Sequence, residues 1–181
     1  MSLVKDLMTG EGLVSRLLPG KQSGLALAMK AFGLFGVPML GWIRPEVVEL
    51  DDERCRLRIR FRRRTRNHVG SMYFGVLCAG ADLASGLLAV RHAAKVNERI
   101  GLIFKDVHGD FRQKVMGHCF FECRDGAAIA EGVRQADRTG ERVNVPTRIL
   151  VWAEGGSPDQ PAAVFQLTLS LKDQSTSKAP R

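Results

Sequence analysis

The sequence predicts an α+β chain, an antiparallel sheet wrapped around one long apolar helix and preceded by a helical extension. Three observations carry this. The nearly uncharged stretch from about Ser71 to Lys95 is too long for a strand and apolar on most sides, the pattern of a helix buried in a core. Segments of period two flank it. Cys55, Leu57, Ile59 and Phe61 alternate with Arg54, Arg56, Arg58, Arg60 and Arg62, and Phe165, Leu167, Leu169 and Leu171 alternate with Val164, Gln166, Thr168 and Ser170. The order is two strands, the helix, then about four strands, and one apolar helix among antiparallel strands is buried when they enclose it.

Residues 1–37 read as the helical extension, two amphipathic helices broken at Pro19-Gly20, the second from about Ser23 to Leu34. "GLALAMKAFGLFGVPMLGWI" has the length of a spanning helix, but Lys30, Pro38 and the glycines interrupt it. These helices are expected to pack against the domain; monotopic membrane contact is the alternative. A strand is expected from near Gly41, then Glu46 to Leu50 and Arg54 to Phe61 as strands joined by a turn at Asp51-Asp52. After the helix come strands near 100–108 and 111–123, then a less regular region, "DGAAIAEGVRQADRTGERVN". "TRILVWAE" and "AAVFQLTLSL" close a domain spanning 38–172, and residues 173–181 form a polar tail expected to be disordered.

With 181 residues, 45% of them hydrophobic and 25% charged, the chain is long enough for one ordinary globular core. Its net charge of +8 calls for an anionic partner, be it nucleic acid, a membrane surface or a phosphorylated molecule. Lys5, Asp6, Glu11 and Arg16 interrupt any secretory apolar core, so a cytoplasmic protein with reduced thiols is expected. Cys119 and Cys123 share a strand face, but no second pair stands at ligand spacing, and His68, His92, His108 and His118 are scattered; packed thiols and no metal are expected. There is no Gly-x-Ser-x-Gly elbow, so a conventional serine hydrolase is not expected, and Ser15 stands where a phosphate-binding loop needs its first glycine; no cofactor is expected.

One acid interrupts the apolar helix. On a helical projection Asp82 is surrounded by Ser71, Gly75, Cys78, Ala79, Ser85, Gly86 and Ala89, all small, while Tyr73, Val76, Leu77, Leu83, Leu87 and Leu88 fall elsewhere. Small residues allow close approach of a ligand or another chain, and a partly desolvated acid has a raised pKa suited to general-base work. The plainer alternative is a buried Asp satisfied by a backbone N–H or an arginine. "NHVGSMYFG" places Asn67, His68 and Gly70 ahead of the helix start, where unpaired N–H groups can hold a carbonyl oxygen. Asn67 can add an amide donor there, or act only as a turn residue.

At these residues the sequence resembles the hotdog-fold acyl-CoA thioesterases, specifically the PaaI-like branch and the related family DUF4442. The likeness covers about residues 38–172. Asn67, Gly70, Ser71, Gly75 and Asp82 match the pattern, with Asn67 and Asp82 fifteen apart; Tyr73 stands where the pattern has His and Phe74 where it has the first Gly. The resemblance implies a sheet wrapped round the helix and dimers, or dimers of dimers, formed by joining sheets. It implies an active site between subunits, with Asn67 and the Phe74 N–H from one chain and Asp82, as general base or nucleophile, from the other. Gly70, Ser71, Tyr73, Gly75, Cys78 and Ala79 would line the acyl thioester, and Arg64 and Arg66 would meet the phosphates of coenzyme A. A non-catalytic acyl-CoA or lipid-binding protein on the same fold is the second possibility. Nucleic-acid binding through the arginine strand is the third, although few aromatics are interleaved there for base stacking.

Overall fold

The computed structural model describes residues 37–176, so the expectations for residues 1–36 lie outside the described residues. Helix α1 (Pro38–Ile43) is followed by β1 (Glu46–Leu50) and β2 (Cys55–Ile59). A 3-10 turn (Arg63–Thr65) leads to the long helix α2 (Phe74–Val96), then β3 (Ile100–Phe111) and β4 (Cys119–Cys123). Helix α3 (Gly126–Thr139), β5 (Val143–Ala153) and β6 (Ala163–Asp173) complete the domain. The six strands form one sheet of order β1-β2-β4-β5-β6-β3, with every neighbouring pair antiparallel. Both α2 and α3 lie on its concave face.

The period-two strands behave as expected. Cys55, Leu57 and Ile59 are buried against α2, with Cys119, Phe121 and Cys123 beside them on β4. These three cysteines pack in the core, where burial pushes the Cys123 thiol up to about 12 and the others upward as well. Helix α2 is apolar and long enough to cross a membrane, and here most of it is buried against the sheet. Gly80 makes its approach close: a Cβ there would stand 2.4 Å from the Phe121 ring.

Five expectations are corrected. No strand begins near Gly41; Pro38, in the first turn where its missing N–H costs nothing, starts a short helix that Arg44 ends in the left-handed conformation (φ 52). The "less regular" region is the helix α3, with Ile129, Val133 and Ala136 buried at helical spacing. Its glycines disguise it, and both are contacts: a Cβ on Gly126 would stand 2.1 Å from the Asp52 carbonyl, and one on Gly132 2.3 Å from Val145. The strand expected over 111–123 is only β4. Residues 112–118 form a loop held by the N–H groups of Arg112 and Gln113, both donating to the Ala162 carbonyl. Helix α2 starts at Phe74, because Met72 is held outside it by its N–H bond to the Val115 carbonyl (2.8 Å). At the other end, β6 runs to Asp173 and a 3-10 turn covers Gln174–Thr176, so the polar tail begins as ordered chain.

In β3 the register shifts between Phe104 and Asp106, leaving Lys105 as an extra residue. Phe104 pairs with Leu169 before the bulge, and Val107, Gly109 and Phe111 pair with Leu167, Phe165 and Ala163 after it, so all four face the concave side.

Gly80→Ala is expected to force α2 off Phe121 and to cost about 1–3 kcal/mol, the usual toll of overpacking. Calorimetric unfolding beside the parent chain measures it, and an unchanged midpoint would contradict the close approach.

Candidate active site

On α2 the residues that are not buried between its first turn and Arg91 are Gly75, Cys78, Asp82, Gly86 and Val90, one line along the helix. That line is left uncovered by the sheet and by α3. Ala79 and Ala89 belong to the core, and Ser85 is buried with its hydroxyl donating to the backbone carbonyls of Ala81 (3.4 Å) and Asp82 (3.3 Å). Ala79 therefore does not join the open line.

Asp82 stands in the middle of it. Among the described residues its carboxylate meets no hydrogen-bond donor and no cation, and burial alone pushes its pKa upward. A Cβ placed on Gly86 would lie 4.0 Å from Asp82 Oδ1 and 3.9 Å from Phe104 Cζ, so the acid and the β3 aromatic share one small space over the glycine. Beyond it, Val107 (58% exposed) and Phe111 (49%) leave the concave face of β3 open. Cys78 is half-buried one turn before Asp82, and burial raises its thiol pKa, which keeps it protonated and a poor nucleophile.

At the helix start the N–H groups of Phe74 and Gly75 meet no acceptor among the described residues, whereas the Val76 and Leu77 N–H groups bond the Tyr73 carbonyl. The loop that delivers them is closed by Asn67. Its Oδ1 accepts from the Val69 (3.1 Å) and Ser71 (3.0 Å) N–H groups, its Nδ2 donates to Ser71 Oγ (2.9 Å), and Gly70 takes φ 80 in the same turn. Asn67 thus builds the loop, and Ser71 is buried within it. The Tyr73 N–H, donating to the Thr65 carbonyl at 2.9 Å, ties this loop to the 3-10 turn. The Tyr73 ring lies where a Gly75 Cβ would be, 2.6 Å away, and meets the exposed Phe74 ring edge-on at 4.9 Å. A side chain at Gly75 would displace the Tyr73 ring, and the two rings form an aromatic rim beside the exposed N–H groups.

The basic residues divide into two groups. On β2 and at its two ends, Arg54, Arg56, Arg58 and Arg60 are paired with Glu49, Glu46 and Glu122, carboxylates of the neighbouring strands. Glu122 is fully buried on the outer face, held by Arg56 through Nε (2.6 Å) and Nη2 (2.5 Å) and by Arg124. Arg66 instead lies over the Phe61 ring (4.2 Å), and Arg64 has its Nε buried without a partner. Of the histidines, His118 accepts the Phe61 N–H at Nδ1 (3.2 Å) and His92 contacts the Asp52 carbonyl through Nε2 (3.0 Å), so both are structural. A hollow of ≈ 360 Å³ lined by His108, Asp110, Arg112, Arg148, Val164 and Gln166 opens on the outer face, across the sheet from Asp82, and contains none of the site residues.

The sequence missed Phe104 as a neighbour of the acid, and Val107 and Phe111 as the continuation of the same strand face. Their apolar character was visible, but which face they occupy depends on the bulge at Lys105.

Comparison with curated protein sequences finds no match. Among solved structures, a protein of unknown function from Chlorobaculum tepidum superposes with a TM-score of 0.72 at 14% identity, covering 84% of this chain and 96% of its own. A Pseudomonas aeruginosa protein described as a "probable thioesterase" gives 0.67 at 23% identity, over 86% and 96% of the two chains. A thioesterase from Haemophilus influenzae gives 0.60 at 13% identity, over 91% and 97%. These likenesses establish the fold as the hotdog fold, which the wrapped helix and sheet order already describe. The sequence model of one family matches residues 26–153, most of the chain, and spans the loop of Asn67, the helix of Asp82 and strands β1 to β5. The chain belongs to that family, described as Domain of unknown function (DUF4442).

Proposed function

We propose that this chain hydrolyses an acyl thioester, with Asp82 as general base or nucleophile. The observation that carries this is the Asp82 carboxylate itself, raised in pKa by burial, without a partner among the described residues, and set on the one open line of an otherwise buried helix. Fold neighbours named as a probable thioesterase and a thioesterase support the same reaction class. A thioester needs a base to activate water and donors for the oxyanion, while its thiolate leaves readily. Asp82 supplies the first, and the Phe74 and Gly75 N–H groups at the positive end of α2 supply the second. Asn67 contributes by fixing the loop that presents them.

The two halves come together in a homodimer. Among the described residues strand β3 is one edge of the sheet, bonded only to β6, and runs for 12 residues with Ile103 and Val107 exposed. A long unpaired edge invites pairing. A second copy added there continues the sheet and sets the open line of each α2 toward the partner, so that Phe74 of one protomer and Asp82 of the other flank one substrate. The apolar concave side of β3 then receives the acyl chain. The alternative of an acyl-CoA or lipid-binding protein without turnover is favoured by one feature, the Tyr73–Phe74 rim, which narrows the approach to the N–H donors. Specific nucleic-acid binding is disfavoured because the β2 arginines are already paired with carboxylates.

Three outcomes are expected. With a panel of acyl-CoAs assayed for released thiol, Asp82→Asn loses roughly 10²–10⁴ in rate; equal turnover by a folded variant rules out the role given to Asp82. Light scattering at micromolar concentration gives a dimer or a multiple of one, and a monomer sinks the shared site. The third concerns stability. A carboxyl whose folded pKa lies above its unfolded value binds more protons when folded, so stability falls as pH rises through that interval, and the ionised form is a burden at neutral pH. Asp82→Asn should therefore raise the thermal midpoint at pH 7, with the gain fading at acid pH where the parent carboxyl is protonated in both states. A variant less stable than the parent at pH 7 would mean that the carboxylate is held by favourable contacts.

A further inference from the structure

From Arg54 to Ala81 the chain carries eight arginines and no acid. The β2 arginines find carboxylates on β1 and β4, but those of the following turn do not: among the described residues, Arg44, Arg62 and Arg64 have no ion pair. They are brought together because α1, which Arg44 ends, packs on the 3-10 turn that Arg62 and Arg64 belong to, and burial together with the positive charges of Arg44 and Arg62 disfavours the charged form of Arg64. Arg64 Nε is the one buried side-chain nitrogen or oxygen among the described residues without a hydrogen-bond partner. Arg44 holds a left-handed position that favours glycine, and it is the only non-glycine residue with positive φ in the described chain.

Mutually repelling guanidiniums with an unsatisfied N–H are stabilised by a multivalent anion, and planar guanidinium forks match phosphate oxygens. We propose that Arg44, Arg62 and Arg64 form a seat for a phosphate group, and that its occupant is the phosphate-bearing end of a soluble acyl carrier. The second half rests on the hydrolase reading given above. The position suits it: Thr65, next to Arg64, accepts the Tyr73 N–H, so the seat adjoins the loop that presents the Phe74 donor. A lipid headgroup offers the same phosphate chemistry, and α1, the helix that Arg44 ends, exposes Met39 and Trp42 (65%), so the test separates the two sources.

The full chain is titrated at 150 mM salt with adenosine 3′,5′-bisphosphate and, separately, mixed with phosphatidylglycerol vesicles. The double variant Arg62→Gln/Arg64→Gln and the surface control Arg134→Gln run beside it. Saturable binding of the bisphosphate, weakened about tenfold or more in the double variant and unchanged in the control, is expected, since a hydrogen bond to a charged group is commonly worth about a factor of ten. Capture by vesicles without binding of the bisphosphate overturns the carrier assignment; binding of neither overturns the seat. Turnover provides a second readout. The ratio of kcat/KM between a CoA thioester and the same acyl group on pantetheine should fall about tenfold in the double variant, and an unchanged ratio counts against the carrier. A chain that hydrolyses nothing yet binds the bisphosphate retains the seat and loses the hydrolase.

Discussion

Everything at the candidate site depends on how closely α2 lies against the sheet. At its closest point a residue with no side chain, Gly80, lies against the Phe121 ring, and the small residues Ala81 and Ala84 next to it on the helix are fully buried. Bulk at any of these would lift the helix and turn it. Its ends are fastened as well. At the start, the Met72 and Tyr73 N–H groups bond the Val115 and Thr65 carbonyls. At the finish, Arg91 and Lys95 grip Asp52 in the β1–β2 turn, whose carbonyl also meets His92. A helix pinned along its length cannot rotate, so the direction in which Asp82 points follows from packing far from the acid.

The strong positive charge of the chain separates into structural and unassigned parts. Arginines of β2 and the carboxylates of β1 and β4 form a charged lattice over the outer sheet face, centred on the buried Glu122. Removing one member of such a buried set leaves an uncompensated charge, which is far more costly than the set is stabilising. Arg62, Arg63, Arg64 and Arg66 lie in the connection to α2, close to the proposed chemistry, and among the described residues none of them has a carboxylate partner.

How far this was legible in the sequence depended on the range of the interactions involved. Period two in β2 and β6 and the apolar run of α2 are local patterns, so strands, helix and order could be read directly. The small-residue surroundings of Asp82 were legible for the same reason. Helix α3 was not, because Gly126 and Gly132, poor helix formers, are there for the Asp52 carbonyl and Val145, partners distant in sequence. Ala79 and Ala89 could not be told from Gly75 and Gly86 by size; only the sheet decides which small residues are covered. Likewise Asn67 fits either role on paper, and the turn it closes with Ser71 is visible only in three dimensions.

The extra residue in β3 gives that strand a parity. Counted from β6, Phe104 and Val107 lie on the same side although three positions separate them, because Lys105 has no partner. Were the strand regular, Asp106, His108 and Asp110 would take the positions facing Leu167, Phe165 and Ala163, and the inner wall beside Asp82 would change from apolar to charged. A single insertion or deletion near Lys105 therefore turns half the strand inside out, while a change of two residues leaves its sidedness intact. The length of this segment is free to drift only in even steps, a restriction on its descent that no individual side chain records.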